Sequence, residues 1–260
     1  DLLNLTENTQ PIMLAAGYAT YKILSDEISL SSVSMAGHSL GEYTALVASN
    51  SMSFYDAIQL VRKRGRLMQA AVPTGSGSMA AILGLDDKLV IEECIKASDK
   101  GVVEAVNFNS PGQVVIAGEK EAVTYACELL KEAGAKRALV LPVSVPSHCS
   151  LMKEAANEFK ESVDKIEFKA NDLKVIHNVD ADYSNTIDEI KSKLVEQLYK
   201  PVLWTSSVLK MKETGVEKII ESGPGKVLAG LTRRIDKSLS ASAIIDVSSL
   251  KSTIEEISNA

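Results

Sequence analysis

The chain has 260 residues, 45% hydrophobic and 24% charged, enough to bury a large core as one domain or as a domain with an insertion. Its net charge of −6 argues against nucleic acid as a partner, and no apolar run reaches the ~20 residues that span a bilayer. Three scattered cysteines, Cys94, Cys127 and Cys149, suit a reducing cytosol better than a disulfide framework, and no spacing among Cys, His, Asp and Glu reads as a metal site.

No basic-plus-apolar leader pattern opens the chain. Thr9 reads as an N-cap and Pro11 as a first-turn residue, followed by Ile12, Leu14, Ala15, Tyr18, Tyr21 and Leu24 at helical spacing. Next comes a β-compatible run from Ser32 to Ala36, then Gly37-His38-Ser39-Leu40-Gly41, then a helix-compatible run from Glu42 to Ala48. Strand, Gly-x-Ser-x-Gly and helix is the nucleophile-elbow context. Gly37 and Gly41 lack Cβ, so the backbone is expected to turn tightly there. Ser39 would stand at a helix N-terminus, where the dipole favours developing negative charge and the Leu40 N–H is the natural oxyanion donor. The bland alternative is a tight turn without chemistry.

Ser53 caps a predicted helix from Phe54 to Ala71 that carries Arg62-Lys63-Arg64-Gly65-Arg66. That cluster reads either as a solvated face or as a face with one arginine turned inward to bind an anion. A linker-like stretch, Ala71 to Ser78, opens a segment with its own rhythm. Strands are expected at Met79–Leu83, Val102–Phe108, Val114–Ala117 and Arg137–Val143, and helices at Asp86–Asp99 and Glu119–Ala133. This βαββαβ order is the ferredoxin-like split motif and marks residues 75–143 as a subdomain within a core formed by 1–74 and 144–260.

Pro142 and Pro146 bracket a loop that presents His148. A serine nucleophile needs a base, and the chain has three histidines. His38 adjoins Ser39, so its side chain is expected to point away from the hydroxyl, and His177 lies in a strand-like run. His148 is therefore the best general base. Cys149 reads as a small packed thiol. Beyond it, a helix is expected at Ser150–Ile166, a strand at Leu173–Ile176 and a helix at Ile187–Tyr199 that ends before Pro201. A helix at Trp204–Glu213, a strand at Val216–Ile220, a helix at Val227–Ile235, a strand at Ala243–Val247 and a short closing helix complete the chain. Gly223-Pro224-Gly225-Lys226 lacks the ending of a Walker A loop and reads as a turn.

The pieces Gly37-His38-Ser39-Leu40-Gly41-Glu42, Arg62-Lys63-Arg64-Gly65, Asn107 to Gln113, Val145 to Cys149, Gln197 to Trp204 and Gly223 to Leu228 occur together and in order. With them the chain resembles the malonyl-CoA:acyl-carrier-protein transacylases of type II fatty acid synthesis. The resemblance implies an α/β-hydrolase-like parallel-sheet core with the ferredoxin-like insert, and an [acyl-carrier-protein] S-malonyltransferase activity that supplies fatty acid or polyketide elongation. It implies Ser39 as acylated nucleophile, His148 as base, the main-chain carbonyl of Gln197 as the group orienting it, and Leu40 N–H as oxyanion donor. Arg64 would pair with the malonyl carboxylate, and His38 and Asn109 would line the cleft. The family's opening strand and its Gly-Gln-Gly-Ser-Gln stretch, which supplies a second oxyanion donor, do not occur in this sequence. The expected substrate is a coenzyme A thioester with no bound cofactor or metal. The expected partner is an acyl carrier protein, with Lys136 and Arg137 as candidate docking residues beside Lys200, Lys226, Arg233 and Arg234. The enzyme is expected to be cytoplasmic and monomeric, without a nucleic-acid or membrane partner. A serine hydrolase and a non-catalytic carrier-binding module remain as rival readings.

Overall fold

The computed structural model describes residues 2–30, 34–143, 145–169 and 174–258. Expectations that fall on Ser32, Val33, Ser144 and Leu173 lie outside the described residues. The first helix, α1, runs Thr6–Glu27 with Leu5 at its N-cap. Thr9, expected to cap it, instead lies one turn inside and donates its hydroxyl back to Leu5 O. The start moves because Asn8 and Thr9 N–H already bond Leu5 O, closing a turn ahead of Thr9.

β1 (Ser34–Ala36) leads through the elbow into α2 (Leu40–Ala48), and α3 follows at Phe54–Ala70, with Ser53 accepting the Asp56 N–H as its cap. α1 and α3 cross closely at Gly65. A Cβ there would lie 2.8 Å from Glu7 Cα and from Thr6 O, so only glycine permits the approach. Leu14, Tyr43, Leu46, Val61, Phe159 and Leu194 lie in one buried cluster shared by α1, α2, α3, α6 (Lys153–Asp164) and α7 (Ile187–Glu196).

Between these elements lie β2 (Gly77–Leu83), α4 (Asp87–Ala97), β3 (Val103–Ser110), β4 (Gln113–Glu119), α5 (Lys120–Glu132) and β5 (Arg137–Val140). The four strands pair antiparallel in the order β3-β4-β2-β5. Alternation along β4 splits the sheet's two faces. Val114 and Ile116 join Val90, Cys94, Val123 and Leu130 of α4 and α5, whereas Val115 and Ala117 join Val106 and Cys149 on the other side. The second face therefore rests on the loop that carries His148. β3 is also tied to the chain after α7, where Val202 N–H bonds Val106 O and Phe108 N–H bonds Val202 O.

The remaining elements are β6 (Lys174–Ile176), α8 (Trp204–Glu213), β7 (Lys218–Ser222), α9 (Val227–Ile235), β8 (Ser240–Ile244) and α10 (Val247–Ser258). β1 pairs with β6 and β7 with β8, both parallel. Among the described residues these are two parallel pairs, and with the antiparallel sheet they make a mixed α/β fold. The last strand ends at Ile244 and not at Val247, because Asp246 takes the Ser249 N–H and so caps α10. α7 also stops earlier than expected, at Glu196, and that early stop shapes the site.

Candidate active site

Ser39 stands between β1 and α2 at φ 51° and ψ −106°, a conformation that costs an ordinary residue about 1–3 kcal/mol and is held only by its surroundings. Asn178 supplies the clamp. Its Oδ1 accepts the Ser39 N–H at 2.7 Å and its Nδ2 donates to Gly37 O at 2.8 Å. The two elbow glycines are not equivalent. A Cβ on Gly37 would fall 1.9 Å from Gly41 C, but a Cβ on Gly41 would meet nothing within 4 Å. Leu40 opens α2, and its N–H points out of a helix start that provides no partner four residues back.

His148 has φ 69° and is 3% exposed. Its Nε2 accepts the Ser39 hydroxyl at 2.8 Å, and its Nδ1–H donates to Gln197 O at 2.7 Å. A carbonyl only accepts, so Nδ1 carries the proton and Nε2 is free to act as base. The carbonyl is available for a reason visible in the sequence. In a continuing helix Gln197 O would accept the N–H four residues on, and that residue is Pro201, which has none. Leu198 O is likewise free, because the Val202 N–H goes to Val106, and it accepts the His148 N–H at 3.0 Å.

Of the basic cluster on α3, Arg62 and Arg66 are exposed and Lys63 is half-buried, with Lys63 and Arg66 paired to Glu158 and Glu7. Arg64 alone turns inward, at 1% exposure. Its Nη1 donates to Gln10 Oε1 at 2.8 Å, and its Nη2 donates to Gln197 Oε1 at 3.0 Å and to Ser39 Oγ at 3.2 Å. Its guanidinium carbon lies 5.4 Å from the centre of the Tyr43 ring. The buried Nε–H has no partner among the described residues. Among the described residues no carboxylate is hydrogen-bonded to this guanidinium, although the Glu42 charge acts on it, and its Nη2 faces the serine.

His38 Nε2 lies 2.8 Å from Asn109 Oδ1 and its ring 5.7 Å from that of Trp204, and among the described residues its side chain makes no hydrogen bond to Ser39. Burial lowers the pKa of His38, opposed by the Asn109 hydrogen bond. Burial, then the Arg64 charge, pull His148 down to about 3 against the Gln197 carbonyl, which raises it. Burial pushes Cys149 up to about 12, leaving its thiol inert beside the base.

Gln10 and Asn178 go unread in the sequence, Glu42 enters there only as the end of the elbow motif, and His177 only as a histidine in a strand-like run. Of the candidate docking residues, Lys136 lines a cavity of about 550 Å³ with Arg234, Ser110 and Gln113, while Arg137 opens the edge strand β5 in solvent. Lys200 pairs with Glu196 at 3.0 Å. Among the described residues no group of three or more His, Cys, Asp or Glu is placed to hold a metal ion, and no helix is long and apolar enough to cross a membrane.

The acyl transferase domain family model matches residues 1–252. The chain belongs to the acyl transferase family. It is 52% identical over 253 residues to the malonyl CoA-acyl carrier protein transacylase of Escherichia coli K12, covering 97% of this chain and 82% of that one. The same-named Bacillus subtilis protein is 44% identical over 98% of this chain and 80% of its own. Among solved structures, an acyl carrier protein S-malonyltransferase from Vibrio cholerae superposes with a TM-score of 0.93 at 53% identity, over 96% of this chain and 82% of that one. A malonyl-transacylase in complex with a type II PKS acyl-carrier protein superposes at 0.96 with 49% identity, over 98% of this chain and 82% of its own. In this acyl transferase the serine, the histidine and the inward arginine therefore meet on a fold shared with proteins so named.

Proposed function

We propose that this acyl transferase moves a malonyl group from coenzyme A to the phosphopantetheine thiol of an acyl carrier protein, through an ester on Ser39. One observation carries the reading: the hydroxyl that His148 Nε2 holds at 2.8 Å is the same one that the buried Arg64 approaches at 3.2 Å. A nucleophile beside a guanidinium with no carboxylate bonded to it among the described residues suits an acyl group that ends in a free carboxylate.

The steps follow. Ser39 Oγ attacks the thioester carbon while its proton passes to His148 Nε2. The oxyanion forms against the Leu40 N–H at the start of α2. The C–S bond breaks, His148 returns the proton to the sulfur, and coenzyme A leaves as a thiol. The carrier's thiol then gives its proton to His148 and attacks the malonyl ester. The C–O bond breaks and His148 reprotonates Ser39. The Gln197 carbonyl keeps the imidazole in the tautomer both halves need. Arg64 pairs with the malonyl carboxylate, which takes the Nη2–H now spent on Ser39. His38 and Asn109 form the adjoining wall.

The same reading divides the chain into an α/β-hydrolase-like core, 1–74 and 144–260, and a ferredoxin-like insert, 75–143. The antiparallel order β3-β4-β2-β5, with α4 and α5 on one face, supports that division. The enzyme would act in the cytoplasm as a monomer, with Lys136 and Arg137 meeting the acidic carrier. Intact mass after brief mixing with malonyl-CoA tests the activity. One malonyl adduct on the parent and none on Ser39→Ala is expected. Steady release of coenzyme A without an adduct would point to a hydrolase and overturn it.

A further inference from the structure

Neither His148 nor Arg64 is hydrogen-bonded to a carboxylate among the described residues. A fully buried carboxylate nevertheless lies one side chain away from both. Glu42 sits in the first turn of α2 at 0% exposure. Its Oε1 accepts from His177 Nδ1 at 2.8 Å, and its Oε2 accepts the Asn178 N–H at 3.0 Å and Gln197 Nε2 at 2.8 Å. Three donors converge on it, and each belongs to a segment that borders the catalytic serine. A carboxylate only accepts, so His177 Nδ1 carries the proton facing Glu42, and its Nε2 has no partner among the described residues.

Gln197 is the joint. Its side-chain NH₂ donates to Glu42 and, at 3.0 Å, to Ser39 O, while its Oε1 accepts from Arg64 at 3.0 Å. Turning the amide over would set a carbonyl against a carboxylate and an NH₂ against a guanidinium, so charge at both ends dictates one orientation. The same residue's main-chain carbonyl holds His148 Nδ1–H. Fixing the side chain fixes the backbone that orients the base.

We propose that Glu42 is a positioning residue for both acyl transfer and malonyl selectivity: its buried charge orients the Gln197 amide, and Gln197 in turn holds His148 through its main chain and Arg64 through its side chain. The inference rests on the malonyl transfer proposed above. Glu42 touches neither substrate nor the reacting atoms, so its effect must pass through these two residues.

Glu42→Gln keeps the shape and removes the charge, leaving the Gln197 amide free to invert. Malonyl-Ser39 formation is expected to fall ~10²-fold and acetyl-Ser39 formation ~10-fold, so the preference for malonyl drops ~10-fold. Placed on an Arg64→Ala background, Glu42→Gln should leave the preference where Arg64→Ala put it, because both act through one guanidinium. A slower, less stable Glu42→Gln enzyme with the parent's preference would overturn the proposal, since a purely structural loss slows both donors alike. Should Glu42→Gln fail to fold, Gln197→Met keeps the main-chain carbonyl and carries the same expectation. The ¹⁵N–¹H spectrum of the His148 imidazole needs no acyl donor. Its Nδ1–H signal should move or broaden in Glu42→Gln and recover in part in Glu42→Asp, and an unmoved signal would also overturn the proposal. A parent that forms no malonyl adduct would sink the transfer reading alone, and the imidazole spectrum would still decide the role of Glu42.

Discussion

Arg64 donates to Ser39 Oγ, the oxygen proposed as the nucleophile. On the proposed mechanism that hydrogen bond gives way when the malonyl carboxylate takes the Nη2–H. Arg64→Ala should therefore cut malonyl transfer by ~10²-fold or more while acetyl transfer changes little, measured as kcat/KM for the two thioesters. Equal losses would remove the arginine from substrate recognition. His148, the proposed base, bears on pH. With its pKa near 3 in the free site, kcat/KM should stay flat from about pH 8 to about pH 5 and show no inflection near the ordinary histidine value. A bound malonyl carboxylate offsets the Arg64 charge, so the kcat profile should bend at a higher pH than the kcat/KM profile. Stability has the matching sign. The folded-state pKa is depressed, so the contribution of neutral His148 is complete above about 6.5 and is lost as pH falls toward 3, at about 1.4 kcal/mol per pH unit.

At the scale of the element, helix ends do the placing. α7 ends where Pro201 removes the next N–H, and the freed Gln197 and Leu198 carbonyls become the two acceptors for His148. Pro201→Ala offers Gln197 O a competing N–H. Acylation should slow ~10-fold with the melting temperature little changed, whereas an unchanged rate would mean that the Val106–Val202 pairing alone ends the helix. The elbow makes a sharper contrast. Gly37→Ala drives a Cβ into the Gly41 backbone and should cost several kcal/mol or abolish folding, while Gly41→Ala meets open space and should keep most of the activity. Thermal melts and acylation rates of the pair decide it, and a tolerated Gly37→Ala would show that the elbow relaxes.

Across the whole molecule, the site lies where three separate parts of the chain converge. The sheet β3-β4-β2-β5 presses one face on the His148 loop, α3 brings Arg64 in from the helical side, and the turn after α7 joins them. The carrier protein must deliver its thiol to that meeting point from outside. Lys136 borders the open cavity beside Arg234 and Arg137 stands next to it in solvent. Replacing Lys136 and Arg137 by Glu should raise KM for the acyl carrier protein ~10-fold and leave KM for malonyl-CoA unchanged. An unchanged carrier KM would move docking to another face.

Much of this was legible in residue order. Strand, Gly-x-Ser-x-Gly and helix announce a serine on a sharp turn because backbone sterics are local, and the βαββαβ rhythm follows from side-chain periodicity, which is local as well. Prolines mark where helices stop, again because a missing N–H acts within four residues. Periodicity placed the last strand three residues too far along and the first cap one turn too late, since caps compete by single hydrogen bonds. Residue order alone left open which arginine of Arg62-Lys63-Arg64-Gly65-Arg66 turns inward. The helix crossing at Gly65 sets Arg64 against Gln10, Gln197 and Ser39. Nor does any local rule reveal that Glu42, His177, Asn178 and Gln197 form one buried network. Their partners lie 135 to 155 positions from Glu42, and a charge buried that far from its sequence neighbours is satisfied only when the fold closes around it.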